Sequence, residues 1–528
     1  MSQQLSVIFA GGLVRVLQGF AAAAPTLLVG LFVAAFLKYY LGASGIRRLF
    51  GGDSWRSLPQ SWLVGMLLPV CSIGVLPILC VMHRARVKPG AMSAFALSAP
   101  LFNPLSLLYG LTLSRPVVIV LFAVGSLVVV TLLGILWDMI DQRHESDSGV
   151  LGDDAEDHLI GFRRLIAAFV HVARESTGNS LGLTLIALSG LAILAGVLPY
   201  GAMQTAVERD DWWAPLRMVM VAMPVFATPM LAMSQLGMMF QHANSPGASF
   251  VLLILGTGMN LATPIWFGRR FGFRGTGIWL VALLVTVLVI AYSINRPLIP
   301  PGVEPAGHTH AFDIYANPIA LGNPVNIETI NGLVRNKIGI SDYFSLGAFA
   351  TLAVLGLLLR GFRVDEGSLV RTASAKSFAS SLKDGQLSNR KGLDRVVPPQ
   401  LIAIVMLAGV VAISVVACYA YYPSPNECLE EIRLVKAECW TAARSGNVEG
   451  ALFWLPVWED WSRKLEVGTV LRRGELRPYQ RMQGYLIRKK LELLEHELGH
   501  DPVEQEEINR VLSEVQRTDI RWAQSFRN

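Results

Sequence analysis

Long apolar stretches separated by shorter polar segments dominate the chain. The runs at 117–137, 277–294 and 401–422 are each long enough for a helix of about 20 residues that crosses a bilayer. A helix suits this environment because it satisfies its backbone hydrogen bonds internally. The pattern predicts spans at 20–41, 61–82, 91–111, 116–138, 180–199, 216–239, 248–267, 276–294, 344–360 and 400–421. We therefore predict an all-α polytopic membrane protein.

Several of the predicted spans contain proline and glycine in mid-segment. Proline removes a backbone donor and ends or kinks a helix. In lipid, the freed backbone groups are tolerated only where they are buried in protein or line a cavity. We therefore expect broken helices in these segments, and we expect the breaks to carry the function.

Polar segments divide the chain into parts. Residues 138–158 form an acidic run, and the Ser-rich stretch 361–395, with seven Lys or Arg against four acidic residues, is typical of a disordered loop. After residue 423 the pattern becomes charged and helical, which predicts a soluble helical hairpin or small bundle. The predicted organisation is a first repeat at 1–140, an acidic linker at 141–160, a second repeat at 161–296, a loop at 297–343, a transmembrane helix at 344–361, a basic linker at 362–398, a transmembrane helix at 399–422 and a helical domain at 423–528.

The charge of the basic linker predicts the orientation in the membrane. Loops rich in Lys and Arg tend to remain in the cytoplasm. We therefore predict a multi-pass protein of the cytoplasmic (inner) membrane, with the linker inside. The 297–343 loop and the 423–528 domain are then extracytoplasmic.

Composition supports this interpretation and excludes others. Hydrophobic residues make up 52% of the 528 residues and charged residues only 16%, which is too apolar for a water-soluble globule. The net charge of +6 comes from Lys and Arg beside apolar spans, where they contact lipid headgroups, and we predict no nucleic-acid partner. The five cysteines are too scattered for a disulfide scaffold. We expect no catalytic residue and no cofactor.

The two halves of the apolar region resemble each other. MLLPVCSIGVLPI (66–78) and KPGAMSAFALSAPLFNPLSLLYG (88–110) correspond to VAMPVFATPMLAM (221–233) and SPGASFVLLILGTGMNLATPIWFG (245–268). Upstream, 13–32 matches the layout of 163–190. A duplicated unit of about 150 residues is typical of secondary transporters, which bind substrate where both halves carry discontinuous helices.

The residues at these breaks are the candidate substrate contacts. One pair of matched segments is interrupted by Gly74 with Pro77 and by Thr228 with Pro229. In the other pair, a polar amide stands at a helix break, as Asn103 before Pro104 and as Asn260 beside Thr263. The alternative is that Pro and Gly only kink tightly packed helices and that the amides bond neighbouring backbone. The full candidate set is Cys71, Ser72, Gly74, Pro77, Asn103, Pro104, Thr228, Pro229, Asn260 and Thr263.

The segment around 66–110 resembles the ArsP-type predicted permeases. Those proteins show P-x-C-S-C-G-x-x-P and then A-P-x-x-N-P, and this chain has PVCSIGVLP at 69–77 and APLFNP at 99–104. The resemblance covers about 10–295 and implies a multi-span permease, not an enzyme. Some members export trivalent organoarsenicals, for which thiolates are suitable soft ligands.

One departure concerns the thiols of this signature. Ile73 stands where the family has its second cysteine, so a vicinal thiol pair cannot form beside Cys71. Cys71 is then either a substrate ligand that needs other donors or a small apolar filler. The substrate is therefore a small solute or a metal(loid) species.

Two histidine motifs suggest other chemistry. His308, His310 and Asp313 lie within six residues of the 297–343 loop and are candidate metal ligands. His496, Glu497 and His500 form a literal H-E-x-x-H, the zinc-peptidase pattern. The ordinary alternatives are a polar turn for the first motif and a helix stop at Gly499 for the second.

The 423–528 segment leaves a further function class open. Its aromatic residues at 453–461 suit either a partner-binding face or the core of the domain itself. We therefore keep two alternatives to a permease, a membrane-anchored scaffold that docks a protein partner or a second copy through 423–528, and a zinc peptidase.

Overall fold

The described part of the chain is built from helices joined by short turns and breaks. The computed structural model describes residues 2–52, 56–113, 116–141, 162–199, 202–203, 207–295, 298, 309, 311–319, 325–335, 337–362, 399–499 and 504–527. Every extended regular element among these residues is a helix, as the apolar pattern predicts. The all-α fold is confirmed.

The first half of the apolar region begins with a long helix and continues with short ones. Its elements are α1 (Ser2–Phe36), a π-helical turn (Leu37–Leu41), α2 (Gly42–Leu49), α3 (Ser57–Leu67), α4 (Val75–Arg84), α5 (Pro89–Ser98), α6 (Pro104–Leu113) and α7 (Pro116–Asp141). The predicted span at 20–41 is therefore part of a longer helical stretch, since the apolar pattern on one side of α1 continues to its start.

The second half ends like the first, with several short helices followed by a long one. Its elements are α8 (Phe162–Ser176), α9 (Asn179–Val197), α10 (Ala214–Ala222), α11 (Pro229–Gln241), α12 (Pro246–Val251) with a π-helical turn (Leu252–Thr257), α13 (Ala262–Phe271) and α14 (Phe273–Asn295). The remaining elements are a 3₁₀ turn (Asp313–Tyr315), α15 (Ile327–Arg335), α16 (Ile340–Gly361), α17 (Pro399–Tyr421), α18 (Pro425–Arg444), α19 (Val448–Arg473), α20 (Pro478–Leu498) and α21 (Gln505–Arg527).

Four of the predicted spans are broken into helix pairs. The breaks lie at 68–74, 99–103, 223–228 and 258–261. Proline explains three of them, because it disfavours the helical conformation of the residue before it and starts the helix after it. At the fourth, α13 is bent by 58° from the helix that ends at Thr257. By length and composition, the described residues contain five helices able to cross a membrane, or six if this bent pair counts as one.

The long helices α7 and α14 run antiparallel. Trp137, near the end of α7, packs against Trp279, near the start of α14, with ring centroids 5.9 Å apart. The same indole contacts Phe267 and Phe271 of α13 at 5.7 and 5.9 Å. Further along the helices, a methyl group on Gly125 of α7 would lie 3.8 Å from the side chain of Ile290 of α14, so the two helices lie side by side in opposite directions.

The backbone divides into two compact units. One comprises Met1–Asn103 with Val120–Val411, and the other Pro104–Ile119 with Ala412–Asn528. In the second unit, α18–α21 enclose an apolar core that includes Ile432, Trp458, Leu491, Val515 and Trp522. The guanidinium of Arg472 donates to the carbonyls of Tyr422 (2.7 Å) and Pro423 (3.0 Å), which ties α19 to the end of α17.

Candidate substrate site at the helix breaks

The first break, at 68–74, packs directly on α1. A methyl group on Gly30 would lie 2.1 Å from the carbonyl oxygen of Gly74, so only glycine permits this approach. Cys71 is fully buried, and its sulfur accepts the backbone N–H of Gly74 at 3.5 Å. Pro77 lies in the first turn of α4, where its missing N–H costs nothing and supports the helix start. Next to Cys71, the hydroxyl of Ser72 is buried and has no hydrogen-bond partner among the described residues.

The matched break, at 223–228, packs on α9 in the same way. A methyl group on Gly190 would lie 1.8 Å from the carbonyl oxygen of Pro224. Thr228 precedes α11, and its hydroxyl accepts the N–H of Leu231 at 3.3 Å, with Pro229 as the first helical residue. Thr228 and Pro229 therefore build the start of α11, and the Thr228 hydroxyl is engaged as a cap.

Asn260 organises the fourth break. Its side-chain oxygen accepts the N–H groups of Ala262 (2.8 Å) and Thr263 (3.1 Å) and caps α13. The hydroxyl of Thr263 donates to the same oxygen at 3.4 Å. The Asn260 amide nitrogen and the Thr257 hydroxyl are buried, and neither has a partner among the described residues. A π-helical turn just before this break presents Thr257, and such turns are frequent at functional sites.

The second and fourth breaks touch each other. A methyl group on Gly258 would lie 2.9 Å from the carbonyl oxygen of Leu97 and 3.0 Å from the side chain of Leu101. Asn103 is 5% exposed and lies immediately before Pro104, the first residue of α6. The structure thus places the fourth break against the end of α5 and against Leu101 of the second break.

Matched positions in the two halves make the same backbone contact. The N–H of Gly90 donates to the carboxylate of Asp138 at 2.8 Å, and the N–H of Gly247 donates to the side-chain oxygen of Asn295 at 3.1 Å. Both pairs are separated by 48 residues in the sequence. In each half, the start of the helix before the Asn break is therefore held at the end of the following long helix.

Cys80 lies in a different environment from Cys71. The indole N–H of Trp266 in α13 donates to its sulfur at 3.4 Å. The ring of His83, one turn further along α4, packs on Trp266 and Phe271 at 6.1 and 5.3 Å. Cys80 therefore belongs to the contact between α4 and α13 rather than to a break.

Sequence reasoning missed the residues that only tertiary packing makes important. Gly30 and Gly190 stand near the ends of the corresponding stretches 13–32 and 163–190, which was the available signal. Thr257 and Gln235 gave no signal, because a hydroxyl or amide in an apolar helix has no distinctive spacing; Gln235, in α11, donates to the carbonyl of Ala311 at 2.8 Å.

The two histidine motifs fall partly outside the described residues, which include neither His308 nor His310 nor His500. Asp313 opens the 3₁₀ turn, and its carbonyl accepts a hydrogen bond from Arg15. His496 and Glu497 lie in the last turns of α20, which ends at Leu498. The described residues contain no group of three or more His, Cys, Asp or Glu side chains able to hold a metal ion.

Comparison with known proteins identifies the apolar region. The family model ArsP_1, described as a predicted permease, matches residues 17–296. This match covers more than half of the chain and includes all four breaks. No curated protein and no solved structure gives a match. The chain therefore belongs to the ArsP_1 family of predicted permeases.

Proposed function

We propose that this permease moves a small uncharged solute or metalloid species past its four helix breaks. The main supporting observation is that Ser72, Thr257 and Asn260, at or beside a break, each have a buried polar atom with no hydrogen-bond partner in the described part of the chain. An unsatisfied buried polar group costs about 1–3 kcal/mol, so such groups persist where they serve a ligand. Discontinuous membrane helices are also the elements with which secondary transporters usually bind their substrates.

We propose further that the two halves are inverted repeats. The corresponding long helices α7 and α14 run antiparallel, which is the relation that inverted repeats require. Gly90 contacts Asp138 and Gly247 contacts Asn295, each at the C-terminal end of its long helix, so the two contacts lie at opposite ends of the antiparallel pair. In this scheme the two sets of breaks form one site at the interface of the halves.

The arrangement of basic residues supports the predicted orientation. Contacts of α4 with α13, and of α7 with α14, gather five Lys and Arg residues at one end of the helices, namely Arg84, Lys88, Arg269, Arg270 and Arg274. Arg360 is in the last turn of α16, just before the basic linker. The positive-inside tendency assigns this end to the cytoplasm. The start of α1 and the end of α9 are then on the extracytoplasmic side.

The cargo class we favour is a trivalent organoarsenical. Cys71 offers one buried sulfur beside the Ser72 hydroxyl, and soft thiolates suit such metalloids. Because Ile73 removes the family's second thiol, the neighbouring hydroxyl and amide groups must complete the site. A permease function accounts for these residues without the scaffold or the zinc-peptidase alternative.

The test is uptake of trivalent methylarsenite into inverted membrane vesicles. We expect flux in the unaltered protein, loss of most of it in Cys71→Ser, and at least a tenfold reduction in Ser72→Ala. Ser72→Ala should leave the thermal unfolding midpoint unchanged or slightly raised, because the hydroxyl it removes bonds none of the residues that the structure describes.

Ser93→Ala is the matched control. Ser93 is equally buried, but its hydroxyl donates to the carbonyl of Gly90 at 2.9 Å within its own helix, away from the breaks. Its flux should equal that of the unaltered protein. Full flux in Ser72→Ala would contradict the proposed site, and absent flux from correctly inserted protein would exclude methylarsenite as the cargo.

A further inference from the structure

Residues 311–319, which we name the inserted segment, enter the helical core from the loop that follows α14. Ala311, Phe312 and Tyr315 are each 1% exposed, although they belong to a polar, proline-rich connection. Connecting segments normally run over the surface, because a buried loop must find partners for its backbone groups. The hydrogen-bond partners of this segment therefore indicate its role.

One set of partners comes from α1 and α9. The guanidinium of Arg15 donates to the carbonyls of Ala316 (2.8 Å) and Asp313 (2.7 Å). The N–H of Asn317 donates to the carbonyl of Leu198, just beyond α9, at 3.2 Å. Hydrogen bonds from a charged donor are about twice as strong as neutral ones. This side of the segment is a charge-assisted anchor.

The other set comes from α11 and is neutral. The amide nitrogen of Gln235 donates to the carbonyl of Ala311 at 2.8 Å, and its oxygen accepts the hydroxyl of Tyr315 at 2.9 Å. Gln235 is 0% exposed and lies in the second turn of α11, the helix that leads away from the 223–228 break. This pair of bonds is the weaker of the two attachments.

We propose that the inserted segment is the extracytoplasmic gate of the permease and that Gln235 with Tyr315 is its latch. The inference rests on the proposed function, since the gate closes the route to the breaks. Opening separates α11 from the segment by breaking the two neutral bonds, while Arg15 and Asn317 keep the segment on α1 and α9. Uncharged partners suit a contact that must break and re-form in each cycle.

The test measures access to the breaks without any solute. A reporter variant carries Ser72→Cys, with the five native cysteines replaced by alanine, in membranes of known orientation. A small, membrane-impermeant thiol reagent is added on the side of the inserted segment. Tyr315→Phe, which removes one latch bond, should raise the labelling rate about fivefold. Gln235→Met, which removes both at similar volume, should raise it further.

Tyr292→Phe is the matched control. Its hydroxyl donates to the carbonyl of Trp212 at 3.0 Å, away from the inserted segment. Labelling should match that of the reporter variant alone. Labelling from the opposite membrane side should not rise in any of these variants.

Two results would overturn the gate. Unchanged labelling in both latch variants would make the segment a fixed brace, and an equal rise from both sides would show general loosening. The outcomes separate this inference from the proposed function. If one-sided labelling rises but protein that retains Ser72 shows no methylarsenite flux, the gate is supported and the proposed cargo is excluded. If flux is normal but labelling does not change, only the gate is excluded.

Discussion

At the scale of single residues, two glycines set the distance between the breaks and the helices that support them. Gly30 lies against the carbonyl of Gly74, and Gly190 lies against the carbonyl of Pro224. In both cases the neighbour is backbone, which cannot rotate away as a flexible side chain can. Packed interiors tolerate added methyl groups poorly for this reason.

Gly190→Ala should destabilise the protein by about 1–3 kcal/mol, because its new methyl group would overlap the Pro224 carbonyl. Gly182→Ala on the same helix is the control, since nothing lies within 4 Å of the added carbon. It should be neutral or stabilising by a few tenths of a kcal/mol, owing to the better helix propensity of alanine. Thermal unfolding of the purified protein in one detergent measures both, and equal midpoints would contradict the close approach.

At the scale of elements, buried ion pairs join the helices of the 423–528 segment. Arg488 of α20 pairs with Glu466 of α19, and both side chains are at most 9% exposed. Burial raises the pKa of Glu466, and the guanidinium of Arg488 opposes that rise. Lys436 of α18 likewise pairs with Asp519 of α21 at 2.7 Å. These contacts fix which helices are neighbours, a matter that their apolar spacing alone leaves open.

Arg488→Met should destabilise this helical cluster by about 3 kcal/mol, since it leaves the buried Glu466 without its ion-pair partner. Cys428 and Cys439 are natural reporters, because burial raises the pKa of each thiol to about 12 and both are 0% exposed. In the full-length chain, their labelling by a thiol reagent should be about 100-fold faster in the variant than in the unaltered protein.

The pH dependence of that difference has a defined sign. Without Arg488, the pKa of Glu466 in the folded state rises further above its unfolded value. A carboxyl with a raised folded pKa loses stability as pH rises through that pKa. The labelling ratio of variant to unaltered protein should therefore grow with increasing pH and shrink in acid, where Glu466 is protonated. The double variant Arg488→Met with Glu466→Leu should restore slow labelling, and continued fast labelling would contradict the buried-charge explanation.

At the scale of the whole molecule, the prediction is its orientation in the membrane. Single cysteines at Tyr479 on α20 and Phe362 after α16 test it, because these side chains are 52% and 77% exposed. In intact cells, an impermeant reagent should label Tyr479→Cys directly and Phe362→Cys only after permeabilisation. The reverse pattern would place the basic linker outside and invert the proposed direction of access.

The sequence alone determined the fold class, the family and the places where helices break. Apolar length forces helices in a bilayer, and proline acts on its own neighbours, so both signals are local. For that reason the breaks beside Gly74, Asn103, Thr228 and Asn260 were predictable, whereas the correspondence of Asn103 with Asn260 through an internal repeat stays a prediction. The interpretation of Pro77 and Thr228 as break residues was refined, since each supports the start of a helix.

Tertiary structure alone decided which residues meet. The antiparallel relation of α7 and α14, the glycine contacts with backbone carbonyls, and the burial of residues 311–319 beside Gln235 join positions far apart in the chain. A single sequence records the composition of each helix, but apolar side chains suit many neighbours equally well. The identity of the contacting faces therefore comes from packing and from the pairing of buried polar groups, which depend on the whole fold.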